Sequence, residues 1–166
     1  MKKSAEATQR IRRTPYTSRV DAAGVSSYSV YNHMLLPTVF ESVEADYEHL
    51  VNFVQIWDVS CQRQVELQGV DAARLAQLIT PRDLRKTAAL QGKYAPLCDE
   101  RGAVMNDPII IKLAEQRWWL SIADADIKLW VKGLAYGLGL SVKVFEPDVW
   151  PLAVQGPLAE QLMERV

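Results

Sequence analysis

The residues best suited to chemistry lie where two polar side chains precede an apolar strand. Asn106 and Asp107 stand directly before Pro108 and the apolar run 109–111. An ionised carboxylate beside apolar surface costs free energy unless a hydrogen-bond donor or a cation pairs with it. We therefore expect Asp107 either to cap the turn before Pro108, as Asx side chains commonly do, or to face a ligand.

Nucleophiles and metal ligands are scarce elsewhere in the chain. The sequence holds two cysteines, Cys61 and Cys98, and two histidines, His33 and His49. Their spacing fits no zinc motif, so no metal site is expected. Cys61 has no histidine beside it to activate its thiol, and we interpret it as a small buried residue. The glycines of the segment 133–140 follow a helical pattern instead of a strand, which argues against a nucleotide-binding turn.

The composition is that of an ordinary globular protein. Of its 166 residues, 49% are hydrophobic and 23% are charged, and the formal net charge is −1. This balance creates no overall field for nucleic acid or for an anionic membrane. The chain has no apolar run of membrane-span length and no apolar core of a signal peptide. We therefore expect a cytoplasmic protein that binds neither nucleic acid nor a membrane.

The local excess of positive charge is N-terminal. It consists of Lys2, Lys3, Arg10, Arg12 and Arg13. Because apolar residues are few in this segment, residues 1–15 are expected to form a flexible basic arm.

Apolar periodicity predicts three helices. The first begins after Ser42, a preferred N-cap, because apolar residues then recur at helical spacing. They are Val43, Tyr47, Leu50, Val51 and Val54. A second helix runs from Asp71 to about Ile79, and a third follows Asp124 or Asp126.

Strand-like runs surround the second and third helices. Hairpins are predicted about the turn at 99–102 and about residues 114–117. Over about residues 55–147 the predicted order is β-β-α-β-β-β-α-β. That order indicates an α+β fold, in which helices cover one face of antiparallel sheets.

Four segments together resemble a known family. They are Trp57–Ser60 (WDVS), Val65–Leu84, Tyr94–Ile110 and Leu152–Pro157 (LAVQGP). Their order and spacing are similar to those of the folate-binding family of the glycine cleavage T-protein, an aminomethyltransferase, over roughly residues 30–166. The resemblance implies the aminomethyltransferase folate-binding fold, incomplete at the C-terminus, with tetrahydrofolate as cofactor and methyl acceptor.

The resemblance also implies a domain organisation. Residues 16–55 would form the first part of the folate-binding domain 1, and residues 56–144 an antiparallel α+β domain 2. Residues 145–166 would return into domain 1, which is truncated. A half-finished first domain would expose apolar surface and favour a homo-oligomer.

Departures from the family pattern favour one activity. Cys61-Gln62-Arg63 stands where T-proteins usually carry His-Met-Gly, and Asn106-Asp107 where they carry two aspartates. Within the family, these segments resemble a demethylase that moves an intact methyl group from a sulfonium. The implied reaction transfers the methyl of dimethylsulfoniopropionate to N5 of tetrahydrofolate, giving 5-methyltetrahydrofolate and 3-(methylthio)propionate. The alternatives are an aminomethyltransferase, another folate-dependent demethylase, or a non-catalytic truncated fragment that binds folate.

The resemblance assigns roles to individual residues. Asp107 is the expected catalytic residue and faces the folate, and the expected folate-binding set is Tyr94, Asp107, Ser121 and Gln62. The expected substrate-binding residues are Tyr31, His33 and Met34. An aromatic face such as that of Tyr31 attracts a sulfonium as it would an ammonium. Core packing for Tyr31, a structural hydrogen bond for His33 and an exposed strand position for Gln62 remain alternatives. Ala123 stands where T-proteins often have a pterin-contacting asparagine.

Overall fold

The computed structural model describes residues 10–166, which fold as two compact units. Unit 1 comprises the described residues up to Cys61 together with Trp150–Val166, and unit 2 comprises Gln62–Val149. The assignment of the predicted ranges to the family's domains 1 and 2 stays a prediction.

The described residues form five helices and eleven strands. The helices are α1 (Thr17–Ala22), α2 (Val43–Asn52), α3 (Ala72–Leu78), α4 (Ile127–Gly137) and α5 (Ala159–Met163). The first strands are β1 (Ser27–Tyr31), β2 (Met34–Val39), β3 (Gln55–Asp58), β4 (Gln64–Gln68), β5 (Gly92–Tyr94) and β6 (Leu97–Cys98). The others are β7 (Val104–Asn106), β8 (Ile109–Ala114), β9 (Arg117–Ser121), β10 (Lys143–Phe145) and β11 (Leu152–Gln155).

Unit 1 is built around two strand pairs, the β1–β2 hairpin and the antiparallel pair of β3 with β11. Asn32 and His33 connect β1 to β2 with φ of 50° and 59°. A two-residue connection with both φ positive is the pattern of a type I′ turn, which matches the twist of the strands. The buried Asn32 amide donates a hydrogen bond to the Cys61 carbonyl at 2.9 Å and so ties the turn to the end of unit 1's first segment.

Residues 10–15, the described part of the predicted arm, are bound within unit 1. The Arg12 N–H donates to the His33 carbonyl at 2.7 Å, and the Leu35 N–H donates to the Arg12 carbonyl at 3.3 Å. Thr14 is buried, and its hydroxyl donates to the Asp58 carboxylate. These hydrogen bonds hold the backbone of this segment on β2 instead of leaving it free. The rest of the predicted arm, residues 1–9, lies outside the described residues.

Helix α2 begins as predicted, since the Ser42 hydroxyl accepts a hydrogen bond from the Ala45 N–H at 3.1 Å. The apolar stripe of this helix is not buried, however. Val43 is 66% exposed and Tyr47 is 64% exposed. The periodicity identified an apolar face correctly, but periodicity does not determine what covers it.

The centre of unit 2 is a five-stranded antiparallel sheet in the order β10-β4-β9-β8-β5. One side of this sheet carries the core, which Val65, Leu67, Ile110, Trp118, Leu120 and Val144 share with residues of α3 and α4. Both helices therefore cover the same face, as predicted. Between β5 and β8 lies the β6–β7 hairpin, closed by the predicted turn after Cys98.

Glycine is required at one position in each of two motifs that carry the family resemblance. At Gly69 φ is +145°, and an added Cβ would lie 2.3 Å from the Ser141 carbonyl oxygen. At Gly156 φ is +126°, and an added Cβ would lie 2.3 Å from the Phe53 carbonyl oxygen. Only glycine adopts this part of the backbone map without strain, so these motifs record a close approach of two backbone segments.

A charged cluster joins three elements of unit 2. The Glu146 carboxylate, just after β10, accepts hydrogen bonds from the Arg63 guanidinium and pairs with Lys128 of α4. Burial by itself would raise the pKa of Glu146. The two cations outweigh burial and lower this pKa from 4.5 to about 2.

We predict that Gly69→Ala lowers the free energy of unfolding by at least about 2 kcal/mol, because the methyl group meets backbone that cannot swing away. Urea titration followed by circular dichroism measures the change. Gly133→Ala in α4 is the control, since its added Cβ meets nothing within 4 Å. Gly133→Ala lies in the interior of a helix, so it should raise the free energy of unfolding by up to about 1 kcal/mol. Equal effects of the two substitutions would contradict the close-approach explanation.

A second prediction concerns acid stability. Because the pKa of Glu146 is lowered from 4.5 to about 2, its contribution is present above pH 4.5 and is lost as the pH falls towards 2. Glu146→Gln should therefore lower the free energy of unfolding by about 1–3 kcal/mol at pH 7, and by progressively less below pH 4.5. Urea titrations between pH 7 and pH 3 test this, with the exposed Glu164→Gln as control. A wild-type advantage that is constant across this range would be inconsistent with the assigned ion cluster.

Candidate functional site

The face of the unit 2 sheet opposite α3 and α4 is the candidate functional site, and we call it the open face. Strand register places four of its side chains in one row, since Tyr94 pairs with Ile109, Ile109 with Ser121, and Ser121 with Gln64. With strands roughly 4.8 Å apart, the row spans about 14 Å. On the opposite face, Val65, Ile110 and Leu120 point to the core.

Asp107 lies just before β8, two residues from Ile109, and its carboxylate contacts Tyr94 at the β5 end of this row. The Tyr94 hydroxyl donates a hydrogen bond to Asp107 Oδ2 at 3.2 Å, and both side chains are exposed. That hydrogen bond, and then the charge of Asp107, raises the pKa of Tyr94. The tyrosine therefore remains a donor at neutral pH, and it fixes the orientation of the carboxylate. The partner of Asp107 is a side chain across the sheet, not the backbone of the turn before Pro108.

Asn106 is a structural residue, unlike its neighbour Asp107. Its side chain is 5% exposed, and its Oδ1 accepts a hydrogen bond from the Ala123 N–H at 3.0 Å. One residue after Asp107, the Pro108 carbonyl accepts a hydrogen bond from the Ala95 N–H at 3.0 Å. Asp107 is thus held between two anchored residues while its own carboxylate stays exposed.

Ser121 and Gln64 form the other end of the row. The Gln64 amide nitrogen donates to Ser121 Oγ at 2.9 Å and to the Gln62 carbonyl at 3.0 Å. The predicted folate-binding residues Tyr94, Asp107 and Ser121 therefore lie on one face, as side chains of neighbouring strands or of the turn beside them. Gln62 lies just before β4 with its side chain exposed, and its carbonyl is what holds Gln64.

The next row of the open face contains an ion pair that sequence reasoning missed. The Glu66 carboxylate accepts hydrogen bonds from Arg117 Nε at 2.8 Å, Arg117 Nη2 at 3.2 Å and Trp119 Nε1 at 2.8 Å. Glu66 is only 2% exposed, and burial would raise its pKa, but these donors outweigh burial and lower it. Both carboxylate oxygens are thus occupied. Glu66 anchors Arg117 and Trp119 and is not placed to act as a base.

A signal for Glu66 was available in the sequence. It interrupts the apolar pair Val65 and Leu67 of β4, at the position that strand alternation directs to the opposite face. The same alternation directs the adjacent Trp118 and Trp119 of β9 to opposite faces. Trp118 is buried in the core, and Trp119 lies half-buried on the open face.

The predicted substrate-binding residues belong to the β1–β2 hairpin of unit 1. Tyr31 pairs with Met34 across the turn, and Tyr31 is half-buried. His33 is exposed at the tip, and its backbone carbonyl accepts the hydrogen bond from Arg12. Met34 is only 1% exposed, so its side chain packs inside the protein and is not available to a ligand. We therefore correct the prediction for Met34 to a core residue.

Other features of the described residues lie outside the open face. Cys61 is buried, in agreement with its interpretation as a small core residue. Within residues 10–166, no group of three or more His, Cys, Asp or Glu side chains is placed to hold a metal ion. No helix in that range has the length and apolarity to span a membrane.

A cavity of about 600 Å³ in unit 1, lined in part by Phe40, His49 and Trp57, contains none of the predicted site residues.

Comparison with known proteins identifies the family. The family model for the GCVT N-terminal domain, the domain of the glycine cleavage T-protein, matches residues 16–166. The chain belongs to this family. The resemblance noted in the sequence is thereby confirmed, and so is the fold class. The aminomethyltransferase T structure of the glycine cleavage system from Bartonella henselae superposes with a TM-score of 0.82 at 22% identity, which shows the shared fold.

Two relatives from this family differ in their similarity to the chain. A dimethylsulfoniopropionate demethylase from Ruegeria pomeroyi is 54% identical over 159 residues, or 96% of this chain and 44% of the relative. An aminomethyltransferase from Thermoanaerobacter is 27% identical over 134 residues, or 79% of this chain and 36% of the relative. The Bartonella structure is covered to 43% of its length by this chain. The chain thus spans less than half the length of these relatives.

We predict that Glu66→Gln lowers the free energy of unfolding by about 1.5–3 kcal/mol, because the buried acceptor of the Arg117 and Trp119 hydrogen bonds loses its charge. Chemical denaturation monitored by tryptophan fluorescence gives the value. Glu115→Gln is the matched control: its carboxylate pairs with Lys112 but is 85% exposed. An exposed pair contributes at most about 1 kcal/mol. If Glu66→Gln were as mild as Glu115→Gln, the anchoring role of Glu66 would be wrong.

Proposed function

We propose that this chain is part of a tetrahydrofolate-dependent demethylase. The reaction transfers a methyl group from the sulfonium of dimethylsulfoniopropionate to N5 of tetrahydrofolate and gives 5-methyltetrahydrofolate and 3-(methylthio)propionate. The observation that carries the proposal is the exposed Asp107 carboxylate, oriented by Tyr94 at the mouth of β8, in a chain 54% identical to a dimethylsulfoniopropionate demethylase.

The open face has the chemistry to hold a reduced pteridine. Such a ring is flat and carries several N–H donors, so it needs acceptors around an apolar floor. Asp107 supplies a carboxylate beside Tyr94, and Ser121 of β9 supplies a hydroxyl. Ile109 lies between Tyr94 and Ser121 in register and is 41% exposed, so it offers the apolar surface. These residues fit tetrahydrofolate, which when bound supplies the nucleophilic nitrogen.

The demands on the protein follow from the methyl donor. A sulfonium leaves as a neutral thioether, so its departure needs no general acid. The protein must hold the two reactants in line and exclude water, and orientation of that kind supplies roughly 7–11 kcal/mol of a barrier. Asp107 accepts a hydrogen bond on its free oxygen and offsets the positive charge that develops during methylation. Tyr94 keeps that carboxylate in one orientation.

The sulfonium end of the reaction is assigned to unit 1. The ring of Tyr31 offers a π-face to a cation, worth about 0.5–2 kcal/mol. The exposed imidazole of His33 at the turn is the second candidate contact. Met34 is withdrawn from this set, because its side chain is buried.

An aminomethyltransferase is the second candidate. The family match and the 27% identity to the Thermoanaerobacter enzyme favour it in general terms. The demethylase is preferred because identity to the Ruegeria relative is twice as high over more of the chain. Turnover with dimethylsulfoniopropionate, measured as 3-(methylthio)propionate, and turnover with an aminomethyl donor separate the two activities.

We predict that the 166-residue protein binds tetrahydrofolate saturably in calorimetry and that Asp107→Asn weakens binding roughly ten- to hundredfold, since a charged acceptor is lost. Tyr94→Phe should weaken it less, because the carboxylate remains but loses its orienting donor. Asp126→Asn is the control, an exposed aspartate without a side-chain capping hydrogen bond.

The outcomes separate the alternatives. Binding without turnover of either donor would favour the non-catalytic folate-binding alternative. No binding by the folded wild-type protein would refute the proposal for this chain. Full affinity and turnover in a folded Asp107→Asn protein would remove Asp107 from the site.

A further inference from the structure

We infer that the open face holds the glutamyl tail of tetrahydrofolate as well as its pteridine. The two carboxylates of that tail bind Arg117 of β9 and Lys143 of β10. The inference rests on the proposed function and adds to it a subsite for the charged part of the ligand.

Strand register places the two cations in one exposed row. Gln68 of β4 pairs with Arg117 on one side and with Lys143 on the other. Val144 belongs to the core, so its neighbour Lys143 points to the open face. The Arg117 side chain is 47% exposed, and Gln68 and Lys143 are exposed too. A ligand on the open face therefore reaches this set of three residues, which we call the cationic row.

Both cations have binding capacity left. Arg117 donates to Glu66 through Nε and Nη2, and within residues 10–166 its Nη1 has no hydrogen-bond acceptor. Lys143 Nζ lies 4.7 Å from the centre of the Phe145 ring and forms no ion pair with a described carboxylate. Because Glu66 balances only one of the two positive charges, the row retains a net positive charge.

The effect on Glu66 indicates that the two cations are close together. Burial raises the pKa of Glu66, whereas the hydrogen bonds from Arg117 and Trp119 and then the charge of Lys143 lower it. The field of the Lys143 ammonium thus reaches the carboxylate to which Arg117 is bound. Arg117 and Lys143 lie two strands apart, roughly 10 Å between backbones, and their long side chains can share one anionic group.

The row between the cationic row and the row of Tyr94 and Ser121 is largely apolar. Ile111 pairs with Trp119, and Phe145 lies two strands further along the same row. All three side chains are half-buried. A Cβ built on Gly92 would lie 3.0 Å from Ile109 Cγ2 and 3.6 Å from Ile111 Cγ1. The two isoleucines are therefore neighbours, and they extend the apolar surface from one row to the next.

The open face thus changes from polar to apolar to cationic along the strands, and tetrahydrofolate is ordered in the same way. Its pteridine carries hydrogen-bonding groups, its aminobenzoyl ring is apolar, and its glutamate carries two carboxylates. Ser121 and Arg117 are four residues apart on β9, roughly 13 Å, which an extended aminobenzoylglutamate arm spans. With the pteridine beside Asp107 and Ser121, the carboxylates reach the cationic row. Guanidinium and ammonium groups both form charge-assisted hydrogen bonds with carboxylates.

The test compares two ligands by calorimetry in wild-type protein and in Lys143→Gln. One ligand is tetrahydrofolate, and the other is its diamide, in which both glutamyl carboxylates are neutral amides of nearly the same size. We expect wild-type protein to bind the diamide roughly fivefold more weakly, the size of effect that an exposed ion pair gives. In Lys143→Gln most of this preference should disappear, because one of the two cations is gone.

Lys132→Gln is the matched control. Lys132 is an exposed lysine of α4, the helix that covers the opposite face of the sheet. The substitution removes the same charge from the protein without touching the open face, so the preference for tetrahydrofolate over its diamide should remain. Arg117 is left unchanged, since its loss would leave the buried Glu66 carboxylate without its cation.

The possible results are distinct. Equal affinity of wild-type protein for both ligands overturns the tail subsite and leaves the proposed function in place. A preference that is as large in Lys143→Gln as in wild-type protein also overturns it, and so does a loss of preference as large in Lys132→Gln. Absence of tetrahydrofolate binding by wild-type protein overturns the proposed function and this inference together. Thermal midpoints verify that each variant is folded, and Lys143→Met takes the place of Lys143→Gln if the latter does not fold.

Discussion

The antiparallel register of β8 between β5 and β9 is the constraint on which the candidate site depends. It brings Tyr94, Ile109 and Ser121 into one row, although they come from separate parts of the chain. A slip of one residue in any pairing would turn those side chains to the core. The slip is prevented from the other face, where Ile110 and Leu120 are fully buried. The core residues thus hold the geometry of a site to which they do not belong.

The polar groups of the open face divide into those that are satisfied and those with capacity left. Glu66 has three donors, and Asn106 is bound to the backbone at Ala123, so both are structural. Asp107 has one oxygen engaged by Tyr94, and Gln64 has one buried oxygen without a partner. Asp107 lies just before β8 with an exposed side chain, whereas Gln64 lies at the β4 end of the row with its oxygen buried. Of these two groups, the Asp107 carboxylate is the one that a ligand on the open face can reach.

Short-range sequence rules predicted the helices and strands better than they predicted the contacts of the candidate site. The Ser42 cap, the hairpin of β8 and β9 and the opposed faces of Trp118 and Trp119 follow from short-range rules. The Tyr94–Asp107 and Glu66–Arg117 contacts depend on which strands become neighbours, and no local pattern contains that information. Met34 shows the same limit, since a resemblance can place a residue in a segment without determining whether its side chain faces outwards.

The protonation states of side chains on the open face bear on whether it suits an amine donor or a sulfonium donor. Transfer from an amine donor requires a proton for the leaving amine, whereas a thioether leaves without one. Glu66 is held as a carboxylate by Arg117 and Trp119, which lower its pKa, so it has no proton to give near neutral pH. The pKa of Tyr94 is raised, so its hydroxyl does not serve as a base. Side chains in these states bind and orient a ligand, and the departure of a neutral thioether asks for no proton from them.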